Sequence, residues 1–208
     1  MKKLKLAFLN KYQNKVNRGA ETFVKEVSLR LSKNYQVDVI SDINYLDLLK
    51  KKYDLVIPTN GRFQVVITRL ITWLTGGKMI VSGQSGMGWD DRVNLYSLPD
   101  CFVPISSAAL RWAKSTNPFV KSVYIPNGVD TNKFKPEGQK IKCDLKKPIV
   151  LCVGALTKTK RIDLVIKAVA KVKEASLLIV GKGPEKGNLI KLGNSLLKDL
   201  ENPHSKKI

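Results

Sequence analysis

The chain of 208 residues has room for one large domain, or for one domain and part of another, and its 43% hydrophobic and 26% charged content excludes a disordered sequence. Lys and Arg number 37 against 17 Asp and Glu, a formal net charge of +20. That excess favours polyanionic partners, whether phosphorylated substrates, an anionic membrane face or nucleic acid, without choosing among them.

The first residues, MKKLKLAFLNKY, hold a short apolar run broken by Lys5, which reads as a first strand and not as a signal peptide. Residues 4–9 predict that strand. The turn Asn14-Lys15-Val16-Asn17-Arg18-Gly19 leads into a helix whose apolar face is Ala20, Phe23, Val24, Val27 and Leu31. A glycine turn between a first strand and a helix start aims free backbone N–H groups at the strand tips, where an anion is the favoured occupant. Glu21, in the first helical turn, can complement the helix dipole. Residues 37–40 and 54–57 predict the next strands, with a helix over 45–51 between them. The segment 62–74 suits a helix, although Val65-Val66-Ile67 would also suit a strand. Its apolar part, 65–74, contains Arg69 and is too short to span a bilayer, so a cytoplasmic protein is expected.

Gly76-Gly77 turns the chain into a strand over 79–81. The loop 83–91 then carries Gly83, Gly86, Gly88 and Trp89. Residues 102–105 continue the strand pattern, with Ser106 or Ser107 as the N-cap of a helix over 108–114. Residues 122–125 predict the last strand of a first domain, 1–136. A hydrophilic linker is expected over 137–147. Between Lys133 and Arg161 nine basic residues face only Glu137 and Asp144, which suits either a solvated linker or a patch facing a membrane or a phosphate. Of the cysteines, Cys101 and Cys152 fall in predicted strands and Cys143 in the linker. Their odd number and spacing suggest reduced thiols, buried in the two strands, and no metal pair.

A second domain, 148–208, opens with the apolar run Ile149-Val150-Leu151-Cys152-Val153, bounded by Pro148 and Gly154. Such a run predicts a strand buried on both faces of a parallel sheet. The basic loop Thr157-Lys158-Thr159-Lys160-Arg161 follows, then a helix with Ile162, Val165, Ile166, Val169 and Val172 at helical spacing. A second buried run, 177–180, stops at Gly181-Lys182-Gly183-Pro184. Strand, helix, strand is a right-handed βαβ unit. Ligands of such sheets sit at the carboxyl ends of the strands, where 154–161 and 181–184 would lie side by side. Residues 189–200 predict another helix, and 201–208 a polar tail holding the one histidine, His204.

Several linked pieces resemble the family 4 glycosyltransferases. They are Val153-Gly154-Ala155-Leu156, Lys160-Arg161, Asp163-Leu164-Val165-Ile166-Lys167-Ala168, Val180-Gly181-Lys182-Gly183-Pro184, and the stretch Ile125-Pro126-Asn127-Gly128-Val129-Asp130 with Phe134 and Pro136. The resemblance covers residues 4–192. It implies an α/β, GT-B-like fold: a Rossmann-type parallel-sheet domain followed by an incomplete second Rossmann-type domain. It also implies a retaining transfer of a sugar from a nucleotide-sugar donor to a lipid, saccharide or other acceptor. Lys160, Arg161 and Gly19 would then hold the donor phosphates, and Gly154, Gly181 and Gly183 would face the nucleoside. Gln84, Ser85, Ser106 and Glu21 are the acceptor-side candidates, with Arg18 standing where the family's glycine-glycine loop has its first glycine. Gln84 and Ser85 occupy the neighbourhood in which the family often has a histidine, so no catalytic residue is assigned.

The family's E-x7-E motif is absent, and only the opening βαβα of a donor domain is present, so a truncated chain, inactive alone, is expected. No D-x-D motif occurs, which argues against a metal-dependent GT-A enzyme; no metal and no cofactor are expected, the nucleotide-sugar being substrate. Gly187 follows Gly183 at the wrong spacing for a nicotinamide-binding fingerprint. Two other readings remain open. One is a non-catalytic nucleotide- or sugar-phosphate-binding protein that needs a partner subunit. The other, a nucleic-acid binder, has only charge behind it, because the aromatics are not interleaved with basic residues, and no nucleic acid is expected. The charge also suggests peripheral contact with an anionic inner membrane face.

Overall fold

A computed structural model of the chain describes residues 3–16, 18–84, 86–138, 144–172 and 174–201. Ser85, Cys143 and His204 lie outside the described residues. The chain divides into two compact units, Met1–Phe134 and Lys135–Ile208.

The first unit runs β1 (Lys5–Leu9), α1 (Gly19–Leu31), β2 (Gln36–Ile40), α2 (Tyr45–Lys51), β3 (Leu55–Pro58), α3 (Phe63–Thr75), β4 (Lys78–Gly83), α4 (Trp89–Tyr96), β5 (Cys101–Pro104) and α5 (Ser107–Thr116). Its strands form one parallel sheet in the order β2-β1-β3-β4-β5. The strand β1 lies inside the sheet, between β2 and β3, and is buried on both faces. Ala7 and Leu9 pack with Leu48, Tyr53, Val56 and Ile71 on one side, while Phe8 packs with Val24 and Ile57 on the other. That two-sided burial explains why its sequence is a continuous apolar run and not an alternating one.

Two features depart from the sequence-based expectation. Residues 83–91 are not all loop: α4 begins at Trp89, with Asp90 and Asp91 in its first turn. Residues 122–125 are not a regular strand. Ser122 makes one parallel bridge to Phe102, and Ile125 N–H still reaches the Pro104 carbonyl at 3.2 Å. The ladder stops because Pro104 has no N–H to donate to the next rung. The ambiguous Val65-Val66-Ile67 lies inside α3.

The second unit holds β6 (Ile149–Val153), a 3₁₀ turn (Lys158–Lys160), α6 (Ile162–Val169), β7 (Ser176–Val180) and α7 (Lys186–Glu201). Its two strands pair in parallel from Ile149↔Ser176 to Val153↔Val180. The expectation that β6 is buried on both faces is corrected here: Val150, Leu151 and Val153 are exposed, because one neighbouring strand and two helices cover only part of the ribbon. Cys101 and Cys152 are both free and only half-buried, where burial was expected. No helix among the described residues is long and apolar enough to cross a membrane.

The loops that leave β6 and β7 are bonded to each other: Gly154 N–H to Val180 O at 3.0 Å, Leu156 N–H to Lys182 O at 2.9 Å, and Glu185 N–H to Leu156 O at 3.0 Å. A Cβ on Gly181 would stand 1.9 Å from the Gly154 carbonyl oxygen, whereas one on Gly154 would meet nothing within 4 Å. Gly181→Ala is therefore expected to cost about 1–3 kcal/mol in urea denaturation, as backbone overpacking does, and Gly154→Ala almost nothing. Equal losses for the two variants would contradict this packing.

Burial and the neighbouring Asp90 push the Asp91 carboxyl up to about 6, against a weaker opposing hydrogen bond from Asn94. The folded state thus holds this proton more tightly than the unfolded chain, so the contribution is favourable at low pH and is lost as pH rises from about 4 through about 6. Asp91→Asn should match the parent near pH 4 and exceed its stability near pH 8 by up to about 3 kcal/mol, measured by thermal or urea melts across that range. A difference independent of pH would contradict it.

Candidate functional sites at the two strand-end edges

In the first unit β1 connects to β2 on one side and β3 to β4 on the other, the switch point at which sheets of this kind take ligands. Polar side chains cluster just past the ends of these strands. Asn10, fully buried just past β1, donates to Gln13 Oε1 at 3.2 Å and accepts from Tyr12 N–H at 3.0 Å. Asn60, just past β3, accepts from Lys11 N–H at 2.8 Å, and its own N–H donates to Gln64 Oε1 at 2.8 Å. These amides were missed in the sequence, where an Asn directly behind an apolar strand was the available signal.

Gly19 opens α1 after Arg18, which offers the helix no side-chain cap. Glu21 is buried, and Arg18 reaches both of its carboxylate oxygens at 3.4 Å while lying 5.0 Å from the Tyr12 ring centroid. The Arg18 charge therefore sits at the helix N-terminus, partly balanced by Glu21. Gln84 exchanges two 3.2 Å hydrogen bonds with Asn127 and donates to Ser82 Oγ at 2.9 Å. Ser106 caps α5 by accepting from Ala109 N–H at 3.1 Å. At the start of α4, Asp90 pairs with Arg62, and Asn94 donates to Asp91 at 3.2 Å. No group of three or more His, Cys, Asp or Glu side chains suited to a metal ion is found among the described residues.

In the second unit the 3₁₀ turn carries the basic loop, and Arg161 joins it to α6 in the left-handed conformation, φ 49°. A non-glycine residue held there is strained, a condition that the surrounding structure must enforce. Arg161 pairs with Asp163 at 3.2 Å, which holds that carboxyl below its usual range. An open pocket of about 280 Å³ is lined by Thr157, Lys158, Arg161, Ile162, Asp163, Glu185 and Leu189. Arg161 and Lys158 thus line one depression, while Lys160, the expected partner of Arg161, does not. Neither lysine makes an ion pair among the described residues. The closeness that Gly181 and Gly183 permit is taken up by protein backbone: a Cβ on Gly183 would lie 2.3 Å from the Leu156 carbonyl oxygen.

Residues 134–199 match the family model described as glycosyl transferases group 1. Over 95 residues the chain is 32% identical to the GDP-mannose-dependent alpha-(1-6)-phosphatidylinositol monomannoside mannosyltransferase of Mycobacterium tuberculosis, strains CDC 1551 / Oshkosh and ATCC 25618 / H37Rv alike. That alignment covers 40% of this chain and 24% of each relative, so the matched part is about a quarter of their length. Crystal structures of Anabaena HepE superpose with a TM-score of 0.64 over 97% of this chain. The one in complex with UDP-glucose is 14% identical with 67% of its chain covered, and the one with UDP and glucose 15% with 68%. The likeness to HepE shows the fold, a GT-B-like succession of α/β units.

Proposed function

We propose that this chain is a glycosyltransferase that binds a nucleotide-sugar donor through the strand-end loops of its second unit. It would transfer the sugar, with retention, to an acceptor held at the carboxyl edge of the first, as the resemblance to family 4 implies. The observation that carries the reading is the pocket in which Lys158 and the strained Arg161 stand beside two hydrogen-bonded glycine loops. Breaking an anomeric C–O bond leaves negative charge on the departing diphosphate, and cations placed beforehand stabilise it. The group 1 family match over this unit supports the reading. So do the relatives: HepE is found with UDP-glucose, and the mycobacterial enzymes are GDP-mannose-dependent.

A non-catalytic, partner-dependent sugar-phosphate binder is the second reading. It is favoured by the acceptor-side groups Glu21, Gln84 and Ser106, each already engaged within the fold. Turnover of a nucleotide-sugar by the chain alone would exclude this second reading.

Calorimetric titration with UDP and GDP tests the site itself. A charge-assisted hydrogen bond is worth about 1.5–3 kcal/mol, and these exposed side chains belong at the lower end. Lys158→Ala and Arg161→Ala are each expected to weaken the diphosphate about tenfold, and Lys33→Ala not at all. Unchanged affinity in the Lys158→Ala/Arg161→Ala double variant would remove this loop from the site.

A further inference from the structure

The helix α3 turns one face to its neighbours, with Val65, Thr68, Ile71 and Thr72 buried, and leaves a second apolar face bare. Phe63 is 83% exposed, Val66 40%, Leu70 51%, Trp73 57% and Leu74 77%. At helical spacing these five lie within about 100° of arc, a continuous apolar stripe on the outside of the first unit. A soluble surface scatters single apolar residues; a contiguous stripe marks an interaction site. The Trp73 ring is held in place. The Arg69 guanidinium lies 4.8 Å from its centroid and is fixed in turn by Asp100 at 2.6 Å.

Basic residues gather at the carboxyl end of this stripe. The helix α2 packs beside α3 and ends in Lys50 and Lys51, with Lys52 as its left-handed cap; all three are exposed and make no ion pair among the described residues. The turn after α3 touches the same corner. A Cβ on Gly77 would stand 2.4 Å from the Tyr53 carbonyl, and Lys78 N–H donates to Asp54 O at 2.9 Å.

We propose that the α3 stripe docks on an anionic lipid bilayer, with Leu70, Trp73 and Leu74 entering the headgroup–acyl boundary and Lys50, Lys51 and Lys52 meeting lipid phosphates. An apolar helical face flanked by lysines is the chemistry that such interfaces recognise. The alternative occupant, a second copy of the chain, would bring a further +20 against the first, whereas an anionic surface complements it. This inference stands on α3 and the charge distribution and is independent of the nucleotide-sugar reading. It moves the expected membrane contact from the linker to the first unit.

Co-sedimentation of the full chain with phosphatidylcholine vesicles, with and without phosphatidylglycerol, tests it. Binding should require the anionic lipid and weaken with salt. Lys50→Ala/Lys51→Ala should lower partitioning about 25-fold, roughly fivefold per lysine. Leu70→Ser/Leu74→Ser should lower it at least about tenfold while leaving UDP affinity unchanged. Brominated acyl chains should quench the tryptophan emission of the parent, and Trp73→Phe should lose that quenching. Parent-like partitioning of the leucine variant, equal binding to neutral vesicles, or quenching that survives Trp73→Phe would each overturn the proposal. So would a concentration-dependent dimer abolished by the leucine variant without any vesicle binding.

Discussion

A parallel strand cannot return to its neighbour through a tight turn; each pair needs a crossover, and a helix supplies it. Both units obey that constraint, and its consequence is directional. Every strand of a sheet ends on one edge, and every loop that follows a strand gathers there. Apolar strand bodies such as Lys5–Leu9 and Leu55–Pro58 bury themselves, so the first polar residues after them, Asn10 and Asn60, are set side by side at the rim. The loops that follow the strands therefore share one edge in each unit.

The two edges are finished differently. In the first unit, amides and carboxylates saturate one another: Asn10 with Gln13, Gln84 with Asn127, and Glu21 with Arg18. Asn10, Gln13 and Glu21 are buried, and a buried polar group left without a partner costs about 1–3 kcal/mol, so these bonds spare the first unit that cost. In the second unit the glycine loops close on each other through backbone bonds, and the cations remain outside, turned to water. Exposed cations cost little to keep and gain most when a polyanion arrives.

Much of this was legible in the sequence because strand burial and helix periodicity are local signals. Residues 45–51 and 149–153 match α2 and β6 in extent, and the side-by-side placement of the 154–161 and 181–184 loops followed from the βαβ pattern alone. Three things were not legible. The helix α4 opens with tryptophan and two aspartates after a glycine-rich loop, a poor periodic signal over eight residues. The strand expected at 122–125 failed on a partner's chemistry, the missing N–H of Pro104, which its own residues do not record. That Lys158 lines the same depression as Arg161 is the third: a 3₁₀ turn links them, though two residues part them in sequence.

The central claim is that the strand-end loops of the second unit receive a nucleoside diphosphate. Backbone amide shift mapping by NMR during titration with UDP or GDP tests it most directly, because it reports each N–H of residues 154–161 and 181–183 separately. The account predicts saturable shifts concentrated in those two loops and at the start of α6, with α3 unaffected. Shifts confined to the first unit, or none at concentrations where calorimetry detects binding, would contradict it.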